Sequence, residues 1–110
     1  TANFPNLFML YGPNTNNGSI LEMIEHQVAY VLRQIRLMDE NTLQWMALKP
    51  SKMARYNDDL QRDLKNVDVW HGDCGGYYRG RGGVIVTQWP HTMDEYKSRL
   101  HSDADSFDVG

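Results

Sequence analysis

A chain of 110 residues holds one domain at most and can bury roughly 65% of its extended surface, enough for a core. Hydrophobic residues at 41%, charged residues at 23% and aromatics at 11% exclude a wholly disordered chain, and a net charge of −3 argues against a general nucleic-acid binder. The single cysteine, Cys74, excludes an internal disulfide framework, and no apolar run has the length of a membrane span or the order of a signal peptide, so the chain reads as cytoplasmic.

Leu7-Phe8-Met9-Leu10-Tyr11 is a short, uninterrupted apolar run between Pro5-Asn6 and Gly12-Pro13, the pattern of a strand buried on both faces. Gly12-Pro13-Asn14 cannot continue a ladder, since Pro13 lacks an N–H and Gly12 loosens the backbone. Ser19-x-x-Glu22 then reads as a capping box at a helix start. The unit predicted is strand, exposed loop, capped helix, a place where α/β proteins hold ligands beside a helix N-terminus. The chain opens at Thr1 and enters the apolar run almost at once, so a preceding segment is expected.

In the helix that follows, Ile20, Ile24, Val28, Val31, Leu32, Ile35 and Met38 recur at three- and four-residue spacing, and this stripe is expected to face a core. Leu21, Tyr30 and Leu37 widen it, which predicts packing on more than one side inside a larger body. Asp39-Glu40-Asn41 ends the helix, and residues 42–48 read as a strand. Pro50-Ser51 opens a second helix with a narrow stripe of Met53, Tyr56, Leu60 and Leu64 and a charged, solvated opposite side. Residues 66–70 read as a brief strand, and residues 71–83, dense in glycine, as a loop. Residues 84–89 are β-branched and predict a strand stopped by Pro90, Thr92 or Asp94 begins a short helix through Leu100, and residues 102–110 read as a frayed acidic tail. The fold class is α+β, short strands with two main helices, in the order β, α, β, α, β, β, α.

His71-x-x-Cys74 with His91 has residue types of a zinc site but lacks a matching second pair, so no metal is expected. Cys74 with His71 also resembles a nucleophile and base, yet no orienting third group is identifiable. Residues 80–85 miss the dinucleotide fingerprint, because Ile85 stands where the third glycine belongs and a strand pattern follows. No catalytic residue is assigned.

The wording of two stretches resembles the C-terminal part of Baeyer–Villiger monooxygenases, in the flavin-containing monooxygenase group. The first is Phe4 to Asn16 with Ile24-Glu25-x-Gln27; the second is Cys74-Gly75-Gly76-Tyr77-Tyr78, followed by Trp89-Pro90 and Glu95-Tyr96. The resemblance covers residues 1–101, leaving residues 102–110 as a tail, and implies the C-terminal portion of a flavoprotein with two dinucleotide-binding domains. It implies FAD and NADPH as cofactors, the upstream FAD- and NADP-binding domains as partners, and insertion of one oxygen atom from O2 into a small ketone, giving an ester or lactone, or oxidation of a heteroatom. Residue by residue, Gly12, Pro13, Asn14, Thr15 and Asn16 would form the loop beside the flavin ring, with Ser19 and Ile20 at the helix start facing its polar edge. Tyr77 and Tyr78 would lie on a loop, residues 71–83, that folds over NADP; Tyr77 stands where the family usually has Trp. The isolated chain is expected to be inactive. An alternative is a non-catalytic interaction module descended from such an enzyme, forming a homo-oligomer through its apolar helix; a third is a redox or metal module around His71 and Cys74.

Overall fold

A computed structural model describes residues 1–67, 80–101 and 104–110. Helix α1 spans Ile20–Glu40, strand β1 Met46–Leu48, helix α2 Pro50–Lys65, helix α3 Met93–Arg99 and strand β2 Phe107–Val109, so the chain is α+β. α1 starts where the Ser19 hydroxyl accepts a hydrogen bond from the Glu22 amide at 3.3 Å, while the Glu22 carboxylate lies 3.6 Å from His26 Nε2. Asn41 ends it, its amide bonded to Leu37 and Asp39 carbonyls. α2 takes Pro50 in its first turn, where the missing N–H costs nothing. α3 is capped by the Thr92 hydroxyl, which accepts from the Glu95 amide at 3.2 Å.

The core is small. Met23 of α1, Leu60 and Leu64 of α2, Ile85, Trp89 and Tyr96 of α3 form one cluster, with Met93 and Leu100 against it. Trp89, Met23, Leu60 and Leu64 are fully buried, and each such side chain contributes about 1.5–3 kcal/mol. A Cβ at Gly18 would come within 2.8 Å of Met93 Sδ and 3.1 Å of Met23 Cε, so these methionine ends would have to shift to admit one. The radius of gyration, 15.4 Å, exceeds the roughly 13 Å of a compact domain of this length.

Four expectations are corrected. Residues 7–11 form no strand: Leu7, Met9, Leu10 and Tyr11 are all exposed, because a strand buried on both faces needs neighbours and covering layers that the described residues do not supply. The stripe of α1 does not face the core either. Ile20, Val28, Leu32 and Ile35 are exposed, and the buried positions are Met23, Gln27 and Gln34. Residues 84–89 are extended without forming a regular strand, joined to the rest by a parallel bridge between Asn16 and Gln88. The end of the expected tail is ordered: β2 pairs antiparallel with β1, Met46 opposite Val109 and Leu48 opposite Phe107. The Gly110 carbonyl extends the ladder by accepting from the Gln44 and Trp45 amides. The expectations for 68–70 and 71–79 lie outside the described residues.

Candidate functional site

Residues 11–17 change direction three times, with left-handed backbone at Tyr11 (φ 51°), Asn14 (φ 59°) and Asn17 (φ 76°). Asn tolerates that region; a tyrosine there is unusual and held by its surroundings. The Asn14 side chain, nine-tenths buried, donates to the carbonyls of Ile85 and Gln88, both at 2.9 Å. The Asn14 amide donates to Val86, the Asn16 amide to Thr87, and the Trp89 amide to the Asn16 carbonyl at 2.7 Å. Thr15, also buried, donates its hydroxyl to Gly12 at 2.8 Å. Asn17 Nδ2 reaches the Trp89 carbonyl at 3.3 Å. The loop and residues 85–89 are thus joined along their length, 70 positions apart in sequence, as one clasp just ahead of the α1 N-terminus.

The clasp rests on Trp89. Its indole donates to the Thr92 carbonyl at 3.1 Å and stands edge-on to Tyr96, centroids 5.1 Å apart, and to His91, 5.3 Å apart. The Arg99 guanidinium lies 5.4 Å above the indole. Arg99 Nε donates to Glu95 at 2.8 Å, and Arg99 Nη2 to Asp63 at 3.2 Å, while His91 Nε2 lies 2.8 Å from the same Asp63 oxygen. Partial burial pushes the Asp63 carboxyl up, but the hydrogen bonds and charges of His91 and Arg99 outweigh it and hold the carboxyl below its ordinary range. Burial likewise disfavours the Arg99 charge, and Glu95 and Asp63 more than compensate. Burial raises the Tyr96 phenol, partly offset by the Gln27 hydrogen bond.

Beside the clasp lies a half-open cavity of about 410 Å³, with Gly12, Pro13, Asn14 and Thr15 on one wall and Met53, Tyr56, Trp89 and Arg99 among the others. A larger cavity of about 560 Å³, between the end of α1 and β2, includes none of the expected site residues. Of the expected site residues Gly12, Pro13, Asn14 and Thr15 line this second, smaller cavity beside the clasp, Asn16, Ser19 and Ile20 follow in the chain without lining it, and Tyr77 and Tyr78, like His71 and Cys74, lie outside the described residues. His91 is engaged with Asp63 and Arg99, and no group of three metal-ligating side chains occurs among the described residues. No helix among them is long and apolar enough to cross a membrane. Sequence reasoning missed Gln27, Gln88, Asp63 and Arg99 as supports. For Gln27 the signal was its spacing from Gln34, two turns apart on one face of α1.

No family model and no solved structure matches the chain. Over 94 residues, 82% of the chain, it is 45% identical to a Baeyer–Villiger monooxygenase of Pseudomonas aeruginosa. It is 32% identical over 102 residues, 87% of the chain, to the FAD-binding monooxygenase ktnD of Aspergillus niger. An uncharacterised monooxygenase, y4iD, of Sinorhizobium fredii is 34% identical over 110 residues, 96% of the chain. By sequence the chain belongs with the FAD-binding monooxygenases. Within that class it is similar to a Baeyer–Villiger monooxygenase, and it spans only 17–18% of the length of these three relatives.

The residues present fit one side of a flat ring better than a whole dinucleotide. Among the described residues a Cβ at Gly12 would meet only Met9, at 3.5–4.0 Å, and its φ is not positive, so none of them requires glycine there and the loop leaves room for a flat group against it. A phosphate cradle is lacking among the described residues, because the turn at Arg81–Gly83 leads into extended chain and not a helix.

Proposed function

We propose that the chain is the C-terminal segment of an FAD- and NADPH-dependent monooxygenase, in which Gly12, Pro13, Asn14, Thr15 and Asn16 line the flavin ring and Ser19 and Ile20 face its polar edge. The observation that carries this reading is the clasp: a strained loop fixed by a buried asparagine, ahead of a capped helix start, with a glycine that no neighbour among the described residues demands. Bound FAD would supply the activation of O2 with electrons from NADPH. The chain's own residues would orient the ring, exclude water on its side, and offer the α1 N-terminus to electron density at the ring's edge. Tyr77 and Tyr78 belong in this reading to the loop that covers NADP. The substrate class is a small ketone, converted to an ester or lactone, or an oxidisable heteroatom, and the partners are the FAD- and NADP-binding domains upstream.

The test begins with the mass of the polypeptide that carries this sequence in its source, read by immunoblot. The expected carrier is several-fold longer and binds one flavin, and Gly12→Val in it lowers flavin occupancy and NADPH-driven ketone oxidation by about tenfold or more, the loss of roughly 1.4 kcal/mol of binding. A flavin-free carrier of about this size overturns the reading. It would favour the non-catalytic oligomerisation module, for which the exposed Leu21, Leu32 and Ile35 of α1 speak.

A further inference from the structure

One end of the loop is tied directly to a buried side chain, and the other end is linked to it through two aromatic residues. Gln27, 8% exposed, accepts from the Tyr11 amide through Oε1 at 2.8 Å and donates from Nε2 to the Tyr96 hydroxyl at 2.6 Å. Tyr96 stands edge-on to Trp89, the Trp89 amide donates to the Asn16 carbonyl, and the Tyr11 hydroxyl donates to Asn16 Oδ1 at 2.9 Å. The path Tyr11, Gln27, Tyr96, Trp89, Asn16 therefore closes on Tyr11, with residues 12–15 strung across it. An amide N–H can face only the oxygen of the Gln27 carboxamide, so the NH2 group must turn to Tyr96, whose oxygen accepts it. The carboxamide is locked in one orientation and holds Tyr11 in its left-handed conformation.

We propose that Gln27 is the positioning residue of the flavin-facing loop, acting through the Tyr11 amide, with Tyr96 as its brace. This rests on the reading that residues 12–16 line the flavin. Gln27 and Tyr96 also border the cavity beside the loop, but both polar atoms of the Gln27 carboxamide are spent on Tyr11 and Tyr96, so its role is to set where the loop stands.

The experiment uses the flavin-loaded polypeptide that carries this sequence, with added FAD as the probe, its dissociation constant and the visible spectrum of the bound flavin as readouts. Gln27→Leu, Tyr96→Phe and Gln27→Glu are compared with Gln34→Leu, a buried glutamine two turns further along α1, and with Gly12→Val. Gln27→Leu is expected to weaken FAD about tenfold, as for one buried hydrogen bond, and to shift the flavin band; Tyr96→Phe is expected to weaken it about threefold. Gln27→Glu is expected to restore the spectrum, because a carboxylate accepts from both the Tyr11 amide and the Tyr96 hydroxyl. Gln34→Leu should leave the spectrum unchanged even where it lowers the melting temperature. If Gly12→Val alters the spectrum while Gln27→Leu and Tyr96→Phe leave it native, the positioning role is overturned and the flavin-facing loop stands. If Gln27→Leu and Gln34→Leu change it equally, Gln27 is merely structural and the proposal is overturned. A native spectrum in Gly12→Val as well overturns the underlying reading. If Gln27→Leu fails to fold, a native spectrum and affinity in Tyr96→Phe still overturn the proposal.

Discussion

The clasp and the outer face of α1 are built from opposite materials. In the clasp, polar side chains are buried or half-buried and matched to partners: Asn14 bonds two carbonyls, Gln27 joins two elements, and the half-buried Gln61 bonds both the amide and the carbonyl of Ile85. On the outer face of α1, large apolar side chains stand in the open, with Leu21 77% and Ile35 50% exposed. A polar group can be satisfied by partners inside a short chain, because a hydrogen bond needs one neighbour at about 3 Å. An apolar stripe needs an area of surface to cover it, and the described residues, with a small core, do not supply that area.

The sharpest way to break the comparison is to remove the support of the clasp. Trp89→Ala should cost about 3–5 kcal/mol, as aromatic truncations in cores do, and a thermal melt should show the isolated chain largely unfolded; a near-native melting temperature would mean that the clasp stands without its base. Asn14→Ala comes next. It takes the buried donor from the Gln88 carbonyl, leaves the Ile85 carbonyl with Gln61 alone and puts alanine in a left-handed position, for an expected loss of about 2–3 kcal/mol in urea unfolding. A loss below about 0.5 kcal/mol, the usual surface effect, would show that the asparagine is ornamental.

Acid should weaken the same region, to a smaller extent. Because the folded state depresses the Asp63 carboxyl, its contribution is full above the ordinary carboxylate range and is lost as the pH falls through the lowered value. Asp63→Asn should therefore flatten the dependence of melting temperature on pH below about pH 4, the reference range for aspartate; an unchanged profile would assign the acid sensitivity to other carboxylates. The smallest effect belongs to the outer face. Ile35→Ser should shift the stability of the isolated chain by no more than about 0.5 kcal/mol, as at exposed sites, and should cost several times more in a longer carrier that covers α1. Equal losses in both would mean that nothing covers that face.

Local signals in the sequence were read well where the chemistry is local. The Ser19 and Thr92 caps, Pro50 at the start of α2, the Leu60 and Leu64 stripe and the end of α1 at Asn41 each depend on residues within a turn or two. The site loop was legible as a place, Gly12 to Asn16 ahead of Ser19, but not as a structure. Its partners at residues 85–89 lie some 70 positions away, and no local pattern in Asn14 says which carbonyls it will meet. Hydrophobic periodicity misjudged α1 for a related reason. Periodicity reports that a face will be buried by something, without saying by what, and within this chain the core took Met23 and the buried glutamines instead.

The sequence by itself determined the helices, their caps and a family likeness carried by short motifs, since these are written in neighbouring residues. The tertiary structure decided that residues 7–11 and 84–89 are not regular strands, that the chain end at 107–109 pairs with 46–48, and that Gln27 and Trp89 hold the loop. A strand exists only where a partner completes its hydrogen bonds, and a buried polar side chain is settled only when both of its partners are in place.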